Sequence, residues 1–312
     1  VGHPTNLGSS VGPIIKDPEE KLLRALTELE EGEEWLVKPK ALSNNNCWTP
    51  GIKINVQPNS WTHMNEWFGP VLGIMKAPNL KKAIEWQNAT EYGLTAGLHS
   101  LSTKECNYWL KNVEAGNLYI NRPITGAIVK RQPFGGWKKS SFGPTVKAGS
   151  SFYPSVFKRY DEVKDYEVLV NDLKELWNIK SKKNKTDNLQ SEHNYSVLYP
   201  HKKLLIVHDE NPNSELKKYL DSIKKIFGLT IDEIEFSKLE DNDSLDKYSL
   251  VRWLSSEPAP EWIYKYNFSL DTNHIVQNSQ RELFSWVREQ SISITNHRYG
   301  NIGFSPVSIE IM

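Results

Sequence analysis

Between Ser102 and Asn121 the chain reads STKECNYWLKNVEAGNLYIN, and this run limits the possible folds more than any other. Ser102 and Glu105 have the spacing of a capping box, Cys106, Trp109, Leu110 and Val113 fall on one helical face, and Gly116 stops the helix. NLYIN, residues 117–121, follows at once as a short strand. A helix with one apolar stripe leading directly into an apolar strand calls for layers of helix on sheet, an α/β architecture.

The alternation recurs along the chain. Asp17 is placed to cap a helix with Pro18 in its first turn, Leu22, Leu23, Leu26 and Leu29 as its apolar positions and Gly32 as its stop. GIKINVQP (51–58) alternates like a strand and VLGIM (71–75) reads as a buried one. Asn79 opens a second helix through Ala83, Ile84 and Ala89. Further on, KLLIV (203–207), TIDEIEF (230–236), YSLVRWL (248–254) and SISIT (291–295) are strand-like. Residues 214–227 put Leu216, Tyr219, Leu220, Ile223 and Phe227 on one helical face before Gly228. Ser279 and Glu282 are spaced to cap a helix carrying Leu283, Trp286 and Val287. Between these halves, residues 166–198 read as a linker. Their core, KSKKNKTDNLQSEHN (180–194), has no interleaved aromatic residues, which favours a solvated tether over a nucleic-acid contact.

With 312 residues the chain is long enough for two domains of roughly 100–200 residues each. Its 38 basic and 38 acidic residues cancel, so no global field draws it to nucleic acid or anionic lipid. Two cysteines and no long apolar run indicate a cytoplasmic protein without a transmembrane segment. The sequons at Asn88, Asn184, Asn194 and Asn267 carry little weight without a secretory signal. Val1 in place of an initiator Met points to a fragment or a processed chain.

Two stretches carry candidate binding chemistry. In TGAIVKRQPFGG (125–136), Gly126, Gly135 and Gly136 permit conformations or approaches that a Cβ obstructs. The N–H groups of Gly126 and Ala127 are suited to a carboxylate, and Phe134 supplies an apolar wall. Read from the residues alone, the stretch is either this or a glycine-rich turn. In NEWFGP (65–70), Glu66 and Phe68 sit two apart, so in extended chain both point to one side. A carboxylate beside a ring suits a ribose hydroxyl pair and a flat heterocycle, though an exposed acid and a core ring read as well. The histidines show no metal-ligand spacing, and no phosphate loop or nucleophile elbow is present. Cys106 falls on a packing face, and Cys47 has no basic neighbour to hold a thiolate. GNIGF (300–304) lacks the third glycine of a dinucleotide fingerprint.

Taken together, NEWFGPVLGI, EYGLTAGLHS and EAGNLYINRPITGAIVKRQPFGGWKKSSFGPTVKAG, with VGHPTN and VGPII before them, resemble the C-terminal half of an aldehyde dehydrogenase over residues 1–160. The form NRPITGAIVKRQPFGG with KAG resembles the L-glutamate γ-semialdehyde (1-pyrroline-5-carboxylate) dehydrogenase branch. VRWLSSEPAP, the REL of QRELFSWVREQ, and SISITNHRYGN are similar to the C-terminal domain of proline utilization A proteins. The resemblance implies an aldehyde dehydrogenase portion over 1–165 and a related, Rossmann-like α/β domain over 199–312, with an extended subunit-pairing flap near 141–160.

It also implies roles for single residues. Glu66 and Phe68 would contact the nicotinamide ribose of NAD, Gly126 and Ala127 would anchor the substrate α-carboxylate, and Phe134 would pack on its aliphatic part. FAD is implied only if a proline dehydrogenase domain is fused upstream. The family's catalytic cysteine and glutamate match no residue here, so the chain is expected to hold half of an active site and to be inactive alone. Ser141 stands where the family usually has glycine. A homo-oligomer is expected; the competing expectation is a non-catalytic assembly module derived from such an enzyme.

Overall fold

The structure, a computed structural model, describes residues 1–2, 5–42, 46–144, 146–182, 184–187, 189, 191–209, 212–241 and 244–295. The predicted GNIGF stretch and the NHRYGN part of the C-terminal motif lie outside these residues, as do parts of VGHPTN and of the 180–194 run. The chain forms two compact units, Val1–Thr90 and Glu91–Met312.

In the first unit α1 (Glu20–Thr27) precedes β1 (Glu34–Val37) and β2 (Gly51–Ile54), and α2 (Trp61–Met64), β3 (Val71–Gly73) and α3 (Leu80–Ala89) follow. The sheet runs β1-β2-β3, antiparallel and then parallel. The first helix is shorter than its leucine pattern predicts. It starts beyond Asp17, with Glu19 at the cap position making no side-chain cap, and it ends where Glu28 turns extended, which leaves Leu29 outside. The second helix starts as expected, with the Asn79 side chain accepting from the Lys82 N–H at 2.9 Å.

The second unit opens with β4 (Tyr92–Gly93), β5 (Thr95–Leu98), α4 (Thr103–Asn112), β6 (Asn117–Ile120) and β7 (Trp137–Lys138). It continues with α5 (Tyr166–Lys180), β8 (Asn184–Lys185), β9 (Glu192–Pro200), β10 (Lys203–His208), α6 (Ser214–Phe227), β11 (Thr230–Glu235), β12 (Leu250–Trp253), β13 (Ser269–Asp271), α7 (Ser279–Leu283) and β14 (Val287–Thr295). The strands β11-β10-β12-β13 form a wholly parallel sheet. Along β10, Leu204 and Ile206 face a core shared with α5 and α6, while Leu205 and Val207 face a second core with Tyr248 and Trp253. Both faces of this sheet are therefore covered, as a parallel sheet requires. A second sheet runs β5-β6-β14-β9-β8, in which β14 pairs parallel with β6 and antiparallel with β9.

Three expectations need correction. Residues 166–198 are not a tether: Asp165 caps the 15-residue α5, which buries Leu169 and Leu173, and β8 and β9 follow. The charge of this stretch sits on exposed faces while its apolar spacing forms the helix. Asn278, not Ser279, caps α7, and the helix closes at Leu283 in tight turns from Ser285 N–H to the Glu282 carbonyl and Trp286 N–H to the Leu283 carbonyl. Val287 is thereby free to begin β14. Residues 141–160 hold a 3₁₀ turn, Tyr153–Phe157, in place of an extended flap, with Pro154 in its first turn and Phe152 packed 4.9 Å from Phe284.

The tail motifs supply structure. Arg252 of VRW and Glu282 of REL form a fully buried pair at 2.5 and 3.0 Å. Tyr219 donates to the same carboxylate at 2.7 Å, and the guanidinium lies 4.5 Å over Trp286. Burial opposes the Arg252 charge, but Glu282 outweighs it and raises the pKa.

Candidate functional site

The candidate residues fall in both units, and each group is described within its own. In the first, Trp67 is the fixed point between Glu66 and Phe68. It stacks on Trp61 at 5.7 Å, and the ammonium of buried Lys53 lies 5.8 Å from its ring. Lys53 pairs with Glu33 at 3.6 Å; burial lowers its pKa and Glu33 works the other way.

On either side of this anchor Glu66 and Phe68 are exposed, and both line two clefts of about 430 and 710 Å³. Phe68 has φ +47° and is 85% exposed. The run is therefore not the plain extended chain the spacing presumed, yet the two side chains still share clefts. A large ring held outward on left-handed backbone is a cost that folding does not require. The carboxylate and the exposed ring fit the ribose hydroxyls and flat ring of a dinucleotide.

In the second unit the 122–136 loop leaves the end of β6 and is tied at its roots. The Arg122 guanidinium donates to Ser293 Oγ and pairs with Glu192, both at 2.6 Å. Buried Gln132 accepts from the Ile128 N–H at 2.9 Å and donates to Glu192 and Asn194 at 2.6 and 2.7 Å. Phe134 exchanges backbone hydrogen bonds with Ala148 at 2.8 and 3.0 Å.

The tip differs. Among the described residues the N–H groups of Gly126 and Ala127 have no acceptor, in contrast to Ile128. Gly126 has φ +82° with open space where a Cβ would stand, and Phe134 is 39% exposed. Two adjacent free donors on a tethered loop, with a part-exposed ring on the same loop, suit a carboxylate with a short aliphatic tail. Gly136 is a glycine for another reason, since a Cβ there would meet Ser140 Cβ at 2.3 Å. Ser141 is not among the positive-φ residues, so a side chain is tolerated in the place where the family usually has glycine.

Sequence reasoning missed the groups that shape this loop. Lys147, inside the KAG motif, is 1% exposed and donates to the Gly116 carbonyl (2.5 Å), Asn117 Oδ1 (2.8 Å) and the Gly135 carbonyl (2.8 Å). Burial lowers its pKa to about 7, with Glu289 opposing. A lysine inside so small a glycine-rich segment was the available signal. Gln132, Glu192 and Asn194 meet across 60 and 62 residues of chain and leave no local trace. Asn194, one of the sequons, is fully buried.

Cys106 is buried, and burial followed by the Glu105 charge raises its pKa, so it packs and is not activated. Cys47 is also buried. Among the described residues no group of three His, Cys, Asp or Glu could hold a metal, and no helix is long and apolar enough to cross a membrane.

Comparison with known proteins bears on both units. Residues 1–164 match the model of the aldehyde dehydrogenase family. A protein named 1-pyrroline-5-carboxylate dehydrogenase 1 from Halalkalibacterium halodurans is 34% identical over 155 residues, 49% of this chain and 30% of that protein. The 1-pyrroline-5-carboxylate dehydrogenase of Bacillus subtilis gives the same identity and shares. The structure of proline utilization A from Corynebacterium freiburgense matches with a TM-score of 0.81 and 36% identity, over 95% of this chain and 32% of that one. The chain thus spans about a third of the length of these relatives.

Proposed function

The chain belongs to the aldehyde dehydrogenase family, and from that premise we propose that it is part of an enzyme oxidising L-glutamate γ-semialdehyde to L-glutamate in proline catabolism, with NAD as the cofactor. The observation that carries the reading is the tip of the 122–136 loop, with free N–H groups on Gly126 and Ala127 and a part-exposed Phe134. The names of the relatives agree with it.

In this reading the two N–H groups hold the substrate α-carboxylate without burying an unpaired charge, and Phe134 packs on the methylenes between carboxylate and aldehyde. Arg122, Gln132 and Lys147 keep the donors in place, so little order is lost on binding. Glu66 accepts from the hydroxyls of the nicotinamide ribose, and Phe68 walls the same cleft. NAD, when bound, supplies the hydride acceptor.

We assign 1–165 to the aldehyde dehydrogenase portion and 199–312 to the related α/β domain. The region near 141–160 pairs subunits in a homo-oligomer, presenting Phe142 and Phe157, which are 84% and 74% exposed.

The test is steady-state kinetics of the enzyme carrying this chain. Its kcat/KM for L-glutamate γ-semialdehyde exceeds that for hexanal, and Gly126→Val raises KM for the semialdehyde about tenfold or more while leaving KM for NAD unchanged. Equal kcat/KM for the two aldehydes, or unaltered kinetics in the variant, contradicts the assignment.

A further inference from the structure

Within the second unit, side chains from just beyond α4, from β7, from the β9–β10 turn and from β14 gather in a cluster that the 122–136 loop does not use. Arg288 stands opposite Tyr199 in the β14–β9 ladder, and its guanidinium lies 3.8 Å over the Trp137 ring. Trp137 is itself fixed, with its indole N–H on the Glu289 carbonyl at 2.9 Å. Beside it, Lys138, on left-handed backbone at φ +54°, and Lys202 pair with different oxygens of Glu114, at 3.6 and 3.2 Å.

Arg288 has no such partner. Among the described residues its side chain makes no hydrogen bond and no ion pair, and its Nε is buried without an acceptor. The residue is only partly enclosed, however, and its terminal nitrogens are not among the buried atoms. Burial lowers its pKa and the Glu114 charge works the other way, yet both Glu114 oxygens already face lysines. Burial raises the Tyr199 pKa, so its O–H keeps a proton to donate. His201 is buried and neutral, kept so by burial and then by the Arg288 charge, and adds nothing to the balance.

Three cations around one carboxylate leave two positive charges uncompensated. A guanidinium held against an indole presents a fixed fork that matches two oxygens of a tetrahedral oxyanion, and an arginine without acceptors awaits such a partner. We propose that this cluster binds a phosphate dianion, with two of its oxygens on the Arg288 fork and with the Tyr199 O–H, Lys138 and Lys202 around the others. The proposal does not rest on the reaction assigned to the Gly126–Ala127 donors.

NMR titration of the 312-residue chain with inorganic phosphate, at an ionic strength held constant with chloride, tests it. The expected result is saturable shifts at the Trp137 indole N–H and the Lys138 amide, with acetate about tenfold weaker or more because it carries one charge and two oxygens. Arg288→Lys weakens binding about tenfold, since an ammonium lacks the fork, and Lys202→Ala, at an exposed position, weakens it about threefold. Glu114→Gln removes the competing acid and tightens it about threefold. Gly126→Val leaves it unchanged. Glycerol phosphate separates the sources: if it binds as well as the free ion, the ligand is the terminal phosphate of a larger molecule, and if only inorganic phosphate binds, it is the free ion. No saturable shift, acetate binding as well as phosphate, an unaffected Lys202→Ala variant, or weaker binding in Glu114→Gln would each overturn the proposal.

Discussion

Two parts of the second unit carry sequence motifs of equal prominence and differ in how their polar groups are used. In the tail, Arg252 and Glu282 direct their hydrogen bonds to each other, with Tyr219 and the Val276 N–H also on the carboxylate and Trp286 against the guanidinium, in a space closed to solvent that leaves Arg252 Nε without an acceptor. In the 122–136 loop, the roots are just as closed, through Arg122, Gln132 and Lys147, but the tip leaves two adjacent donors and a ring open. A motif by itself does not say whether its residues build or bind. An account of where each donor and acceptor goes does, because saturated groups hold a fold and unsaturated exposed ones await a ligand.

The comparison breaks most visibly in the tail. Glu282→Ala leaves the Arg252 charge buried and unpaired, and is expected to lower unfolding free energy by about 3–5 kcal/mol, read as a lower urea midpoint. A change near zero would mean that the pair is not closed.

His201 offers a second large effect. Its ring is buried with both nitrogens unpartnered, and burial, followed by the Arg288 charge, pushes its pKa down to about 3. Below its ordinary 6.5 the unfolded chain takes up a proton that the folded one refuses. The stability it contributes is present above pH 6.5 and lost as pH falls toward 3, at about 1.4 kcal/mol per pH unit within that window. Urea unfolding of wild type and His201→Leu across this range checks it: the variant's slope is shallower by that amount, and identical slopes would rule the histidine out.

The roots of the loop sharpen the contrast. Gln132→Ala strips donors from Glu192 and Asn194 and the acceptor from Ile128, and is expected to cost about 2 kcal/mol. At the tip, Gly126→Ala meets open space and only the left-handed backbone penalty of about 1 kcal/mol. Thermal or urea unfolding of the two variants should rank them in that order, and the reverse order would place the structural burden at the tip.

Much of this organisation is legible in the sequence, for local reasons. Ser102 accepts from the Glu105 N–H at 3.3 Å as its spacing predicts, although the Glu105 carboxylate turns to Ser100 at 2.6 Å and leaves the box half made. The positive φ of Gly126 follows from a glycine in a loop with no period. The strands are found where apolar runs lie between turn residues, with the sheet deciding their ends; GIKINVQP pairs only over Gly51–Ile54, because Asn55 turns left-handed at φ +61°.

What the sequence hid is long-range. Composition disguised α5 as a tether, since Leu169 and Leu173 are spaced for a helix among residues that otherwise look solvated. Nothing near residue 290 announces that β14 will lie between β6 and β9, because its pairing with β6 joins Ser291 to Asn117 and its pairing with β9 joins Ser291 to Ser196, both far apart along the chain. The Gln132–Glu192–Asn194 cluster depends on it, so the scaffold of the candidate site became visible only with the sheet.

The central claim is that the Gly126 and Ala127 N–H groups receive a carboxylate. Backbone amide NMR of the chain during titration with L-glutamate tests it most directly. The account predicts saturable shifts at the Gly126 and Ala127 amides, with Leu205 in the parallel sheet unmoved and the response lost in Gly126→Val. Amides at Gly126 and Ala127 that stay fixed while L-glutamate binds elsewhere, or that still respond in the variant, would contradict it.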